Sequence, residues 1–185
     1  MRSLDVYLAA DRAAPTSAEA ALSPRRRRAM LDDIELRTVR RDDPVEFRAY
    51  ARRFWDIQLG IDPTFTRRTD EFLDQWIDSV RLRETDRNTH NGAALRHGEI
   101  VGVYLVRAHD MYGRLGAHVA GLWVHEELRG LGLAARLREA AETWARAIGA
   151  EFLSANVHVA NTRMLRISEA AGFEVHQVNI RKRLT

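Results

Sequence analysis

The chain has 185 residues, 45% of them apolar and 30% charged, the size and make-up of one domain that buries a core in water. It holds no cysteine, which excludes disulfides, thiolate catalysis and cysteine-held zinc, and no apolar run approaches the roughly 18 residues of a membrane span. The net charge is only +3, Lys182 is the one lysine among the basic residues, and no apolar secretory core opens the chain, so a cytoplasmic protein is expected.

Residues 1–32 are dominated by Ala, Ser, Pro and Arg, with Pro15, Pro24 and the run Arg25 to Arg28. This composition predicts a disordered N-terminal extension, followed by a folded domain over 33–185. A basic arm for a polyanion is the alternative reading of the arginines. Without interleaved aromatics or a known binding module, nucleic acid is not an expected partner.

From Ile34 to Arg40 apolar and polar residues alternate, as in a half-buried strand. Asp43-Pro44 is a helix start. The helix is expected to run to about Leu59, burying Phe47, Tyr50, Ala51, Phe54 and Ile57, with Gly60 as its stop. Beyond Pro63 to Thr66, a second helix to about Leu82 presents Phe72, Leu73, Trp76, Ile77 and Val80. A short strand at Gly92 to Arg96 turns through His97-Gly98-Glu99 into a strand from Ile100 to Arg107. Met111 to Gly116 is expected as a turn into a strand over 117–125. Leu133, Leu137, Ala140, Ala141, Trp144, Ala145 and Ile148 recur at helical spacing, and Gly149-Ala150 ends that helix. A strand over 151–158, a helix after Asn161 and a last strand complete a mixed α/β order.

The segment Leu128-Arg129-Gly130-Leu131-Gly132-Leu133-Ala134 lies between a buried strand and a long helix. A glycine-containing turn at a helix start presents unpaired N–H groups, favours negative charge and lets a phosphate approach the backbone. A Walker loop is excluded because its lysine is missing, and a dinucleotide fingerprint would need glycine where Ala135 stands. Arg129, Gly132 and Ala134 instead fit Arg-x-x-Gly-x-Ala. This resembles the pyrophosphate loop, [QR]-x-x-G-x-[GA], of the GNAT superfamily of acyl-CoA-dependent N-acetyltransferases. Leu122-Trp123-Val124 stands where that family has its L-x-V strand end. A second stretch, from Asn161 through Met164, Ile167, Ser168 and Glu169 to Gly172-Phe173, resembles the family's N-x-x-[AM]-x-x-[LI]-Y-E-x-x-G-F, with Ser168 in place of Tyr.

The resemblance implies a central, mostly antiparallel sheet of about six to seven strands flanked by about four helices. Its fourth and fifth strands, here 117–125 and 151–158, splay apart. It implies acetyl-CoA as cosubstrate, held by Leu122, Trp123, Val124, Arg129, Gly130, Leu131, Gly132, Leu133, Ala134 and Asn161, with no metal. The expected reaction is direct acetyl transfer to a primary amine. His118, six residues before Val124, is the expected base, with His125 and His158 as lesser candidates. Ser168 is the expected proton donor, with water, Tyr104 or Tyr112 as substitutes. Asn161 equally suits a helix cap. The acceptor is expected at the first two helices, where Trp55, Asp56, Asp62, Asp70, Glu71, Asp74, Trp76 and Asp78 would suit a cationic small-molecule amine. A peptide or protein amine is the alternative acceptor, and a non-catalytic acyl-CoA-binding module, suggested by Ser168, the alternative class. A homodimer is compatible with this reading.

Overall fold

A computed structural model describes residues 7–8, 30–61, 71, 73–75, 77–78, 88–159 and 161–178. Its strands are β1 (Tyr7–Leu8), β2 (Ile34–Thr38), β3 (Thr89–Arg96), β4 (Glu99–Met111), β5 (Arg114–Val124) and β6 (Phe152–Val157), in the sheet order β1-β6-β5-β4-β3-β2. Neighbours from β2 to β5 are antiparallel, while β6 runs parallel to β5 and β1 parallel to β6. The helices are α1 (Pro44–Ile61), α2 (Leu133–Ala147) and α3 (Thr162–Ala170). Glu71, Leu73, Asp74, Gln75, Ile77 and Asp78 are also helical, where the second helix is expected.

The two hairpins are closed by two-residue turns whose central residues both have positive φ: His97 and Gly98 at 52° and 84°, Tyr112 and Gly113 at 58° and 81°. Such turns match the twist of the paired strands. The second carries pairing up to Met111 and Arg114, so most of the span expected as a turn, Met111 to Gly116, is strand. Tyr112 hides the turn, because Asn, Asp or Gly is the usual signal there. The Asp110 carboxylate secures it by accepting the Gly113 N–H at 3.0 Å.

Helix α1 begins as expected. Asp43 Oδ1 accepts the N–H groups of Val45 and Glu46, both at 3.0 Å. It does not stop at Gly60 but continues to Ile61; a helical glycine is disfavoured by about 1 kcal/mol and not forbidden. Phe47, Tyr50, Ala51, Phe54 and Ile57 are buried on one face of the sheet, with Leu73, Ile77, Ala93, Leu95, Val103, Leu105, Ala120 and Trp123. Leu133, Leu137, Ala141 and Ala145 of α2 cover the other face, over Ala94, Tyr104, Val106, Ala117, Val119 and Val124. Both α2 and α3 end in a glycine of positive φ, Gly149 and Gly172. The next N–H reaches back five residues, Ala150 to the Ala145 carbonyl at 2.9 Å and Phe173 to that of Ser168 at 3.0 Å.

The register shifts once between β4 and β5. Leu105 pairs with Gly121 and Val106 with Val119, which leaves Ala120 as an extra residue in β5. Pairing between β5 and β6 runs from Gly116–Phe152 to Val119–Ala155 and ends there, although β5 continues to Val124. The strands expected to splay therefore part at the bulge. Beyond it, Asn156 and Val157 pair with Tyr7 and Leu8. The Cα atoms of β1 also come within 8 Å of Cα atoms in β5 and α1, which places β1 beside the opening. β1 lies within the segment expected to be disordered; the rest of residues 1–29 is outside the described residues. For the expected last strand, 173–178 form no regular element and 179–185 lie outside the described residues.

A charge knot around the buried Glu46 carboxylate ties β2 to α1. Arg37 donates to both carboxylate oxygens of Glu46 at 2.6 and 2.8 Å, and Arg40 adds its backbone N–H at 2.9 Å and its Nε at 2.7 Å. These donors, Arg37 foremost, hold the Glu46 carboxyl down at about 2, against an ordinary 4.5. Because the folded value is depressed, the stabilisation is complete above 4.5 and is lost as pH falls towards 2. Glu46→Gln should lower stability in urea unfolding at neutral pH by about 3 kcal/mol. The gap to wild type should shrink through that acid window, and equal stability at neutral pH would show that the knot contributes nothing.

Candidate active site

The glycine loop sits where β5 hands over to α2. A short 3-10 turn, Glu126–Leu128, follows β5, and Leu128, Leu131 and Leu133 are buried in the core beneath α2. These leucines fix the loop from below. Gly130 and Gly132 take φ of 75° and 105°, and a Cβ built on either would meet no atom within 4 Å. The backbone is thus open above the loop. Gly132 is the N-cap of α2, makes no side-chain cap, and no acidic residue follows in the first turn. The first N–H groups of a 15-residue helix therefore meet that opening with the positive end of its dipole. Arg129 turns back to the strand, its Nε donating to the Val124 carbonyl at 3.1 Å. It braces the loop against the end of β5.

Leu122 and Val124 pack with the α2 layer, whereas Trp123 packs with the α1 layer under the Arg53 guanidinium, 4.7 Å above its ring. All three lie past Val119, where β6 no longer pairs with β5.

His118 lies one residue before that last pair. Its neighbours Ala117 and Val119 face α2, so its side chain is on the α1 face. Its Nδ1 is 2.9 Å from Ser154 Oγ on β6, and Ser154 Oγ donates to the Ala117 carbonyl at 3.3 Å. The His109 ring stands edge-on to it at 6.2 Å and edge-on to Phe152 at 5.6 Å. Gly116 makes room for this group, because a Cβ there would come within 2.2 Å of the Phe152 ring. His109 Nδ1 is buried without a hydrogen-bond partner among the described residues. Sequence reasoning missed both His109 and Ser154. Tyr112-Gly113 as a two-residue turn would have found His109, because it sets Gly116 opposite His109.

The other expected residues are dispersed. His125 is half-buried after β5, its ring edge-on to Trp123 and its N–H on the Val101 carbonyl at 2.9 Å. His158 is exposed, its carbonyl accepting the Asn161 N–H at 2.8 Å. Asn161 is buried and caps α3, its Oδ1 accepting the Met164 N–H at 3.1 Å. Ser168 is half-buried near the end of α3. Tyr104 packs in the α2 layer, with its hydroxyl 3.0 Å from His90 Nε2, and burial pushes its phenol up to about 12. Burial, and then the Arg41 charge, hold His90 below the ordinary imidazole range. Tyr112 is fully exposed at its turn. On the expected acceptor side, Asp56 pairs with Arg53 at 3.3 Å and Asp74 with Arg48, while Glu71 and Asp78 are exposed. Trp55 packs against the α1 core. Asp62, Asp70 and Trp76 lie outside the described residues. Among the described residues, no three His, Asp or Glu side chains converge as a metal site, and no helix is long and apolar enough to cross a membrane.

The acetyltransferase (GNAT) family model matches residues 48–173. No curated protein matches the chain. Among solved structures, a transcriptional regulator from Bacillus halodurans C-125 superposes with a TM-score of 0.67 at 19% identity, over 82% of this chain and 99% of that one. The aminoglycoside acetyltransferase meta-AAC0020 from an uncultured soil metagenomic sample, in complex with sisomicin, gives 0.65 at 15% identity, over 83% of this chain and 98% of that one. A ribosomal-protein-alanine N-acetyltransferase from Brucella melitensis biovar Abortus 2308 gives 0.61 at 16%, over 82% and 99%. At such identities the likeness is one of fold. The family match spans the parted strands, the glycine loop and the helix after Asn161, and by it the chain belongs to the GNAT family as an N-acetyltransferase.

Proposed function

We propose that the protein transfers an acetyl group from acetyl-CoA to the primary amine of a small molecule by direct attack, with His118 as general base. The observation that carries this reading is the placement of two features on one strand. An imidazole stands just before the point where β5 and β6 part, and an uncapped helix start follows the end of β5. In this reading the domain is 33–185, works in the cytoplasm and needs no metal.

The N–H groups from Gly130 to Ala134 hold the pyrophosphate at the helix start. The β5 edge at Leu122, Trp123 and Val124 orients the pantetheine arm, and Asn161, while capping α3, borders it. Bound acetyl-CoA supplies an activated acyl group. Backbone N–H groups of β5 past Val119 polarise its carbonyl. His118 takes the proton that the attacking amine must lose. Ser168 hydrogen-bonds the departing sulfur, a weaker service than a phenol would give.

The small-molecule acceptor draws support from the fold shared with the sisomicin-bound acetyltransferase. A peptide amine is the second reading. It is favoured by the backbone of Tyr7–Leu8, an extended segment paired with β6 beside the opening, and by the pairing of Asp56 and Asp74 with arginines, which takes acidic groups away from a cationic ligand.

Gly132→Glu puts a carboxylate at the pyrophosphate and strains a backbone at φ 105°. CoA affinity in isothermal titration should fall by more than about tenfold, and unchanged affinity would place the cosubstrate elsewhere. His118→Gln should lower kcat/KM by about a hundredfold or more and abolish the fall in rate at acid pH, where an imidazole is protonated. CoA affinity should persist. Wild-type kcat/KM in this variant, assayed over a panel of amines by thiol release, would overturn the base assignment; CoA binding without turnover of any amine would favour a binding module.

A further inference from the structure

We propose that Ser154 is a positioning residue that fixes the tautomer of His118, placing the proton on Nδ1 and the lone pair on Nε2. The function of that tautomer rests on His118 being the base; the tautomer itself does not.

Donor counting at the Ser154 hydroxyl selects this tautomer. The Ser154 hydroxyl has a single hydrogen and lies near two groups, His118 Nδ1 at 2.9 Å and the Ala117 carbonyl at 3.3 Å. A carbonyl oxygen only accepts. If the hydroxyl gave its hydrogen to Nδ1, its lone pairs would face the carbonyl oxygen and that contact would be repulsive. Both contacts are attractive in only one arrangement: Ser154 donates to Ala117, and His118 Nδ1–H donates to Ser154. A neutral imidazole with its proton on Nδ1 carries its lone pair on Nε2.

The placement suits this role. His118 and Ser154 are Cα partners across the parallel pair, one step before the final pair, Val119 and Ala155. The ring is therefore held by a regular strand on either side, and its Nε2 is buried. Arg107, its Cα partner on β4, and His109 occupy the same face. The Ser154 hydroxyl, relayed to the Ala117 carbonyl, is the group that meets Nδ1.

The test is the neutral imidazole's tautomer, read from two-bond proton–nitrogen correlations of the 15N-labelled full chain, alongside kcat and KM. In wild type the His118 signals should show Nδ1 protonated. Ser154→Ala should shift them towards the Nε2-protonated form and lower kcat about tenfold with KM little changed. Ser154→Thr keeps the hydroxyl and should restore both. A wild-type spectrum with the proton on Nε2, or a Ser154→Ala spectrum identical to wild type, would overturn the proposal. Loss of activity in Ser154→Ala with the tautomer unchanged would do the same. Full activity in His118→Gln would instead remove His118 from the reaction, and the spectra would still decide the tautomer.

Discussion

Everything at the candidate site depends on one extra residue in β5. Parallel strands stay hydrogen-bonded only while both advance in step, and the bulge at Ala120 breaks that step. A bulged strand bends and twists more sharply, and the last β5–β6 pair is the one before it. The opening is therefore a consequence of register and not of a missing element. Helix α1 seals the irregular stretch from one side. Gly121 has no side chain because the Phe54 ring occupies the place a Cβ would take, 2.6 Å from its nearest atom.

The same bulge decides which side chains share a face. In a regular strand His118, Leu122 and Val124 would point the same way, being even-numbered steps apart. With one residue inserted, the parity changes. His118 lies on the α1 face, whereas Leu122 and Val124 join the α2 layer. The His118 imidazole and the side chains of Leu122 and Val124 therefore lie on two sides of one strand, the first on the α1 side and the second on the α2 side. The glycine loop belongs to the second side, because its leucines are part of the α2 core. Helix α2 is packed along its length and closed at Gly149.

The glycine loop, α1 with its Asp43 cap and α2 with its glycine stop were legible in the sequence, because each is a local signal: a spacing, a cap, a positive-φ position. The bulge was not. The run Val119 to Val124 is apolar throughout, so an inserted residue leaves no break in a pattern that does not alternate. Nor was the partnership of His118, His109 and Ser154. It is made by three strands meeting in register, and the register of β4 against β5 turned on a Tyr in a position where sequence rules look for Asn or Gly. The charge knot at Glu46 fell between these cases. Asp43 and Glu46 have the spacing of a reciprocal cap, yet Glu46 turns away to two arginines that arrive from β2 and the connection after it.

A sheet that parts in order to admit reactants also bares strand edges, and a bare edge is a template on which another chain can pair. At one end of the sheet, β2 is only five residues long and carries Glu35 and Arg37, charges that discourage such pairing. At the other, the backbone of Asn156 and Val157 would lack a strand partner without β1. Tyr7 and Leu8 are laid along those two residues in parallel. In the described structure two residues of the chain's own backbone are paired where a stranger's strand could otherwise add, so an edge of the sheet is covered by residues distant in sequence from the helices that cover its faces.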